Sequence, residues 1–348
     1  MEKNFNVNIT TSTIFKLLAI LLLVYVMYLV RDVLFILFIS LVLASAVDPW
    51  VDWLQTKKIP RSLGIVLIYL GFFSVVGFAI YSIAPPIAKE MGDFSNNLPM
   101  YQEKINKTFS AAKEFTIKHG IFKNLESGIG GLNASLQNTA SSIISTIINI
   151  FGGLVSFVLV LFLTFYMTVE ENAIKRLVWV LTPAKNQEYV LLLINRMQKK
   201  IGLWLRGQLI LCLCIFVMAY PGLLILGVKY ALVLALIAGI TEAIPYIGPT
   251  LGAVPAIFLA FTQSPILALF VGIFYYIIQM VENNILVPKI MEKAVGLNPI
   301  ISIVAFLVGY NLGGIPGAIL SIPVATAISV FIGDVFDNRK KGQLEPKF

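Results

Sequence analysis

Two stretches of this chain, residues 243–281 and 294–333, carry no formal charge over 39 and 40 residues. A helix needs only about 20 apolar residues to cross roughly 30 Å of hydrocarbon, so stretches twice that length would aggregate in water. Three more uncharged segments, 63–84, 143–169 and 207–228, run for 22, 27 and 22 residues. Composition agrees: 58% of the 348 residues are hydrophobic and 13% charged, about half the charged share of a soluble domain, and the mean hydropathy is +0.88. The expected fold is therefore all-α. It is a polytopic integral membrane protein of about six full transmembrane helices, two Gly/Pro-broken re-entrant helical segments and an amphipathic extramembrane helical region.

The net charge of +8 does not indicate nucleic acid, because the basic residues fall mainly in short loops between apolar segments, where they orient a protein in the bilayer. The apolar stretch 17–30 lacks a small-x-small cleavage pattern and is followed by further spans, so it reads as a retained span. Cys212 and Cys214, two apart on one helix, point to different sides and form neither a disulfide nor a metal pair.

Along the chain, a span over 14–30, a polar break at Arg31 and Asp32 and a second span from Val33 to Val47 predict a tight helical hairpin. Lys57, Lys58 and Arg61 outnumber Asp48 and Asp52 in the next loop, which the positive-inside rule places in the cytoplasm together with the N-terminus. The third span is expected to stop at Pro85 and Pro86, whose missing N–H groups end a helix. The N-terminal unit is thus 1–86. Residues 87–142 form a polar extracytoplasmic unit with apolar positions at helical spacing, such as Tyr101, Ile105, Phe109, Ala112 and Phe115. Within it Gly128, Gly130 and Gly131 mark a turn, and His119 reads as a solvated helix-end residue.

Residues 143–206 hold a fourth span and a basic linker. Leu191, Ile194, Met197, Ile201 and Leu205 recur there at helical spacing, predicting an amphipathic helix lying on the cytoplasmic membrane surface. Residues 207–333 form the C-terminal core, and 334–348, with Arg339, Lys340 and Lys341, a cytoplasmic tail.

Within that core the segment 230–261 is too long for one ordinary span. Its centre carries Pro245, Pro249 and Pro255 with Gly248 and Gly252, which cannot continue a helix without freeing backbone groups. Unpaired, each would cost several kcal/mol in hydrocarbon, so the unwound stretch expected from Pro245 to Pro255 must be buried in protein or line a wet cavity. A second break falls between Gly309 and Pro316, around Asn311 and Gly313, with Pro323 beyond. Paired breaks of this kind point to a transporter's binding region. Loop charge favours re-entrant hairpins over single crossings, and either arrangement leaves both termini cytoplasmic.

Glu242 precedes the first break, and Glu282 with Asn283 and Asn284 closes the sixth span. A carboxylate at membrane depth costs at least about 2.5 kcal/mol, so it faces a cavity, a partner or a proton path. Gln279 and Gln208 read as interhelical glue or pathway lining. Tyr246, Thr250, Asn311 and Ser321 supply hydroxyl or amide groups for a polar solute. The candidate transport pathway is Glu242, Pro245, Tyr246, Gly248, Pro249, Thr250, Gln279, Glu282, Asn283, Asn311, Gly313 and Pro316. The aliphatic surroundings argue against a multi-carboxylate metal site. No Walker motif and no His-Glu-x-x-His or Gly-x-Ser-x-Gly pattern is present, so neither a cofactor nor enzyme chemistry is expected.

Arg206-Gly207-Gln208, Glu242 with the block from Ile244 through Pro249 to Gly252 and Pro255, Gln279 with Glu282-Asn283-Asn284, the block from Val287 to Met291, and Val295-Gly296-Leu297-Asn298-Pro299 together resemble the autoinducer-2 exporter family of bacterial membrane proteins. The likeness continues through Gly309, Gly313, Gly314, Gly317 and Pro323. The resemblance implies secondary transport in the bacterial cytoplasmic membrane, either export of a small polar solute such as autoinducer-2 or exchange of sodium or lithium for protons. It also implies a homo-oligomer such as a pentamer. Asn298 departs from the family pattern, which places His in this block in many members. A passive pore is the alternative function.

Overall fold

The computed structural model describes residues 11–116, 153–170, 176, 178–180, 182–291 and 296–344. Its helices are α1 (Thr11–Leu29), α2 (Arg31–Thr56), α3 (Arg61–Thr116), α4 (Leu154–Val169), α5 (Gln187–Ile225), α6 (Ala231–Thr241), α7 (Gly248–Gln263), α8 (Pro265–Val281), α9 (Val287–Met291) and α10 (Pro299–Leu344). A 3-10 turn, Ala184–Asn186, precedes α5, and five π-helical residues, Glu282–Leu286, join α8 to α9. Among the described residues there is no strand. Among the described residues five stretches are long and apolar enough to cross a membrane: Arg31–Thr56, Arg61–Phe94, Gln187–Ile225, Pro265–Met291 and Pro299–Asp334. The last of these is not one straight rod, because it folds back on itself. Large apolar side chains stand outward on most helices, with Val155 82% and Ile225 86% exposed, a surface suited to lipid and not to water.

Helix α5 is the central post. Its first half packs with α2 and α10, where Ile201 and Trp204 are buried with Val42, Leu320 and Ile322. Its second half packs with α6 and α8, in a cluster where Ile215, Ala219 and Leu223 join Leu234, Ala256 and Val271. Lipid tails are as apolar as these side chains, so close packing and interhelical hydrogen bonds, rather than hydrophobic exclusion, hold such helices together. Thus α4 is tied to α3 by the Tyr69 hydroxyl donating to the Leu161 carbonyl at 2.9 Å, and to α2 by Ser40 donating to the Val160 carbonyl at 3.3 Å.

Both broken segments fold back as antiparallel helix pairs. In the first, α6 and α7 approach so closely that a Cβ on Gly248 would meet the Thr241 carbonyl, and one on Gly252 would stand 2.7 Å from Ala238 Cα. In the second, Gly313 (φ −141°, ψ 18°) and Gly314 (φ 60°, ψ −144°) turn the chain within α10. Only glycine adopts that second pair of angles readily. Gly309 and Gly317 then touch backbone to backbone, whereas residues eight apart on a straight helix are about 12 Å apart.

The two pairs have their open ends at opposite ends of α5. Glu90, four residues beyond Pro86, accepts a hydrogen bond from the Val233 amide in the first turn of α6 (3.2 Å), and Phe94 packs edge-on against Tyr230. The base of the α6–α7 pair therefore lies at the end where α3 leaves its apolar stretch, beyond Ile225. The α10 pair begins and ends beside the first half of α5: Gly296 lies near the Lys200 ammonium, and Arg196 donates to Asp334 at 2.8 Å.

Four sequence expectations are corrected. The helix does not turn back at Arg31 and Asp32. The Val30 amide bonds to the Val26 carbonyl and Leu34 to Val30, both at 3.0 Å, so helical bonding continues across Val30 with only a local departure there (φ −94°, ψ 13°). Arg31 and Asp32 are both compatible with a helix, and no Gly or Pro there forces a turn. Pro85 and Pro86 do not end α3 either, because proline's φ is already helical. Only the carbonyls four residues back lose donors, and Tyr81 there is 79% exposed. The basic linker does not lie separately along the membrane surface from Gln187 onward. It is the first half of α5, and of its apolar stripe Ile201 is buried by protein while Leu191, Ile194, Met197 and Leu205 are half-buried. Finally, the first break spans only residues 242–247. Pro249 occupies the first turn of α7, where no N–H partner is needed, and Pro255 lies inside the helix. Residues His119, Gly128, Gly130, Gly131 and the part of the fourth expected span before Gly153, residues 143–152, lie outside the described residues.

The Gly309–Gly317 contact makes a stability prediction. Gly317→Ala should lower the thermal midpoint in detergent by an overpacking cost of about 1–3 kcal/mol. Gly71→Ala, at a helical site with open space around it, should leave it unchanged or raise it by up to about 1 kcal/mol. Equal midpoints for the two variants would contradict the fold-back.

Candidate functional site

Glu242 caps the C-terminus of α6 at the tip of the first pair. The break exposes backbone groups that a helix would pair, and local turns meet part of the demand: Ile244 N–H to Thr241 O at 2.9 Å, Ile247 to Pro245 at 2.8 Å and Gly248 to Ile244 at 2.9 Å. The Glu242 carbonyl is met from outside. Gln208 of α5, itself buried, donates its amide to that carbonyl at 2.7 Å. Tyr246, at φ 66°, takes the left-handed conformation that completes the turn, at a cost for a non-glycine residue of about 1–2 kcal/mol.

Glu242 is 3% exposed and Glu282 5% exposed. Their carboxyl groups, forty residues apart in sequence, lie within hydrogen-bonding contact. Glu282 opens the π-helical stretch, a distortion common at functional sites. Gln279, one turn earlier, points its amide at Glu282 Oε2 at a long 3.4 Å. Cys212 of α5 is within electrostatic range of Glu242. Among the described residues Glu242 Oε2 has no hydrogen-bond partner, and neither does the Tyr275 hydroxyl. Two carboxylates in contact with little water repel strongly unless a proton or a cation lies between them.

A cavity of about 220 Å³ adjoins the pair, lined by Pro249, Thr250, Tyr275, Gln279 and Glu282 together with aliphatic side chains of α5, α6, α7 and α8. Among the described residues no group of three or more His, Cys, Asp or Glu is placed to hold a metal ion.

The structure thus gathers Glu242, Pro249, Thr250, Gln279 and Glu282 at one place, with Pro245 and Gly248 shaping the turn beside them. Tyr246 is exposed, its ring 6.2 Å from Phe306 on the first arm of α10, which makes a contact between the two helix pairs. Asn283 is exposed on the π-helical stretch, and Asn311, Gly313 and Pro316 belong to the tip of the other pair, with Gly313 against Phe35 of α2. Sequence reasoning missed Tyr275, which sits in an unbroken apolar helix with no local signal. Gln208, read as interhelical glue or pathway lining, does bridge two helices, and its partner is the backbone freed by the break.

A family model described as AI-2E family transporter matches residues 17–337. The chain belongs to the AI-2E transporter family. It is similar to two proteins of Bacillus subtilis (strain 168). One is named "Putative transport protein YrrI", 33% identical over 85% of this chain and 84% of that protein; the other is "Putative transport protein YueF", 33% identical over 80% and 78%. It is also similar to "Putative transport protein YhhT" of Escherichia coli (strain K12), 21% identical over 91% and 89%. The AI-2E assignment makes this a multi-pass membrane protein with a transport role. At the departure from the family pattern, the Asn298 side chain accepts from the Ile300 amide at 2.9 Å. It acts as the N-cap of α10, followed by Pro299 at the first helical position.

Removing the Gln208 amide should leave the Glu242 carbonyl buried and unmet. Gln208→Leu is expected to cost about 1–3 kcal/mol in a detergent or denaturant melt, more than Gln279→Leu, whose contact is long. A Gln208→Leu variant as stable as the wild type would show that the carbonyl finds another partner.

Proposed function

We propose that the protein is an ion-coupled secondary transporter of the bacterial cytoplasmic membrane, exporting a small polar solute or cation, with the C-terminus cytoplasmic; the expected cytoplasmic N-terminus rested on a hairpin at Arg31 and Asp32 and falls with it. In this reading the α6–α7 pair enters the bilayer from the outer side and the α10 pair from the inner side. α6, at 11 residues, is about 16 Å long, half the hydrocarbon thickness. The observation that carries the reading is the Glu242–Glu282 pair, buried where the broken helix ends and next to a cavity. Fixed helix-end geometry with two carboxyl groups suits a site that exchanges a proton for a cation, since one proton or one cation removes the repulsion between them. The groups facing Glu242 are Glu282 from the π-helical stretch and Gln208 and Cys212 from α5. No ATP-binding motif supplies another energy source.

In proteoliposomes with an imposed pH gradient and an internal pH indicator, adding LiCl, NaCl or small polar solutes should drive proton movement for at least one of them. Glu242→Gln should reduce that coupled flux by about tenfold or more and remove its dependence on pH. Flux that ignores the gradient, together with single-channel currents, would replace the coupled mechanism with a pore.

A further inference from the structure

The cavity beside the carboxyl pair is larger and more apolar than a proton or a bare metal ion requires. We propose that it binds a small organic cation, a protonated amine whose charged end meets Glu282 and whose apolar body lies among Tyr275, Tyr276 and Ile257. This names the substrate class of the site in the transport reading and rests on that reading.

Charge sets the first limit. Glu282 lines the cavity, Glu242 stands in contact behind it, and among the described residues none lining the cavity is basic. An anion would be repelled, and a neutral solute would leave any ionised carboxylate there without a compensating charge. Wall chemistry sets the second. Sodium or calcium wants a shell of oxygen ligands, whereas Ile215, Ala253, Ile257 and Ile278 give this cavity a largely aliphatic wall. Its volume of about 220 Å³ equals roughly seven water molecules in the liquid, room for a small carbon skeleton.

Tyr275 gives independent support. Buried tyrosine hydroxyls nearly always find a partner, yet this one, on a residue only 7% exposed, has none among the described residues and belongs to the wall of the same cavity. Its oxygen and the Glu282 carboxylate together can accept N–H groups from one ammonium, and Gln279 offers a third polar group.

Titration calorimetry on the purified full chain in detergent tests this with three probes: phenethylammonium chloride, its neutral isostere 2-phenylethanol, and NaCl. Phenethylammonium should bind saturably, at least about tenfold tighter than the alcohol. Glu282→Gln should weaken it by about tenfold or more, and Tyr275→Phe, which keeps the ring and the cavity, by about three- to tenfold. Equal affinity for the alcohol, or amine binding untouched by both substitutions, overturns the proposal. So does a heat signal from NaCl alone without amine binding, which would make the site one for an inorganic ion. These are binding results. Absence of gradient-driven flux in vesicles would instead defeat the transport reading, so the two failures are distinguishable.

Discussion

The hydrogen bond from the Gln208 amide to the Glu242 carbonyl holds a broken helix inside a membrane protein. Backbone amides and carbonyls in hydrocarbon must be paired, and a helix that stops short leaves several without intrahelical partners. Three short turns satisfy most of those groups between Thr241 and Gly248, but the Glu242 carbonyl has its partner on the neighbouring helix. Because Gln208 sits on α5, the tip of the first pair is fixed relative to the post on which both halves of the molecule are built. That fixes Glu242 as well, and brings its carboxyl group to Glu282.

The same post organises the second pair. Arg196 and Lys200, near its first end, stand beside the two ends of α10, while Leu223 at its other end packs in the cluster that includes Val228 and Ala231 at the base of α6. Two fold-backs open at opposite ends of one helix and touch through Tyr246 and Phe306. The links of α2, α3 and α4 to one another run separately, through Tyr69, Ser40 and Thr164. On the other side, the helical arm of α3 beyond Pro86 braces the base of α6 through Glu90, which supplies an acceptor to an orphan first-turn amide.

Both breaks were legible in the sequence because glycine and proline act locally: Gly314 needs a left-handed angle, and the Gly309–Gly317 contact leaves no room for a side chain. Glu242 and Glu282 were legible for a different reason, since a carboxylate in an apolar run demands an explanation wherever it occurs. Their mutual contact was not legible. It depends on α8 returning antiparallel to α7, a tertiary fact with no local signature. The errors share a cause too. Arg31 with Asp32, Pro85 with Pro86, and the basic linker before Gly207 all look like boundaries if charge and proline are taken as stops. Each is compatible with helical backbone, and each helix runs on because neighbouring protein or an exposed surface meets the local cost. Tyr275 was invisible because its apolar neighbours make it look like core.

The central claim is that the two helix pairs open on opposite sides of the membrane with Glu242 at the tip of one. Single cysteines in a background lacking Cys212 and Cys214, placed at Lys229 and Ser264 for the first pair and at Asn298 and Gly333 for the second, can be labelled with an impermeant maleimide in sealed vesicles of known orientation. The account predicts that Lys229 and Ser264 label from one side only and Asn298 and Gly333 only from the other. Labelling of Lys229 and Ser264 from opposite sides would mean that α6 and α7 together cross the bilayer once, and would contradict it.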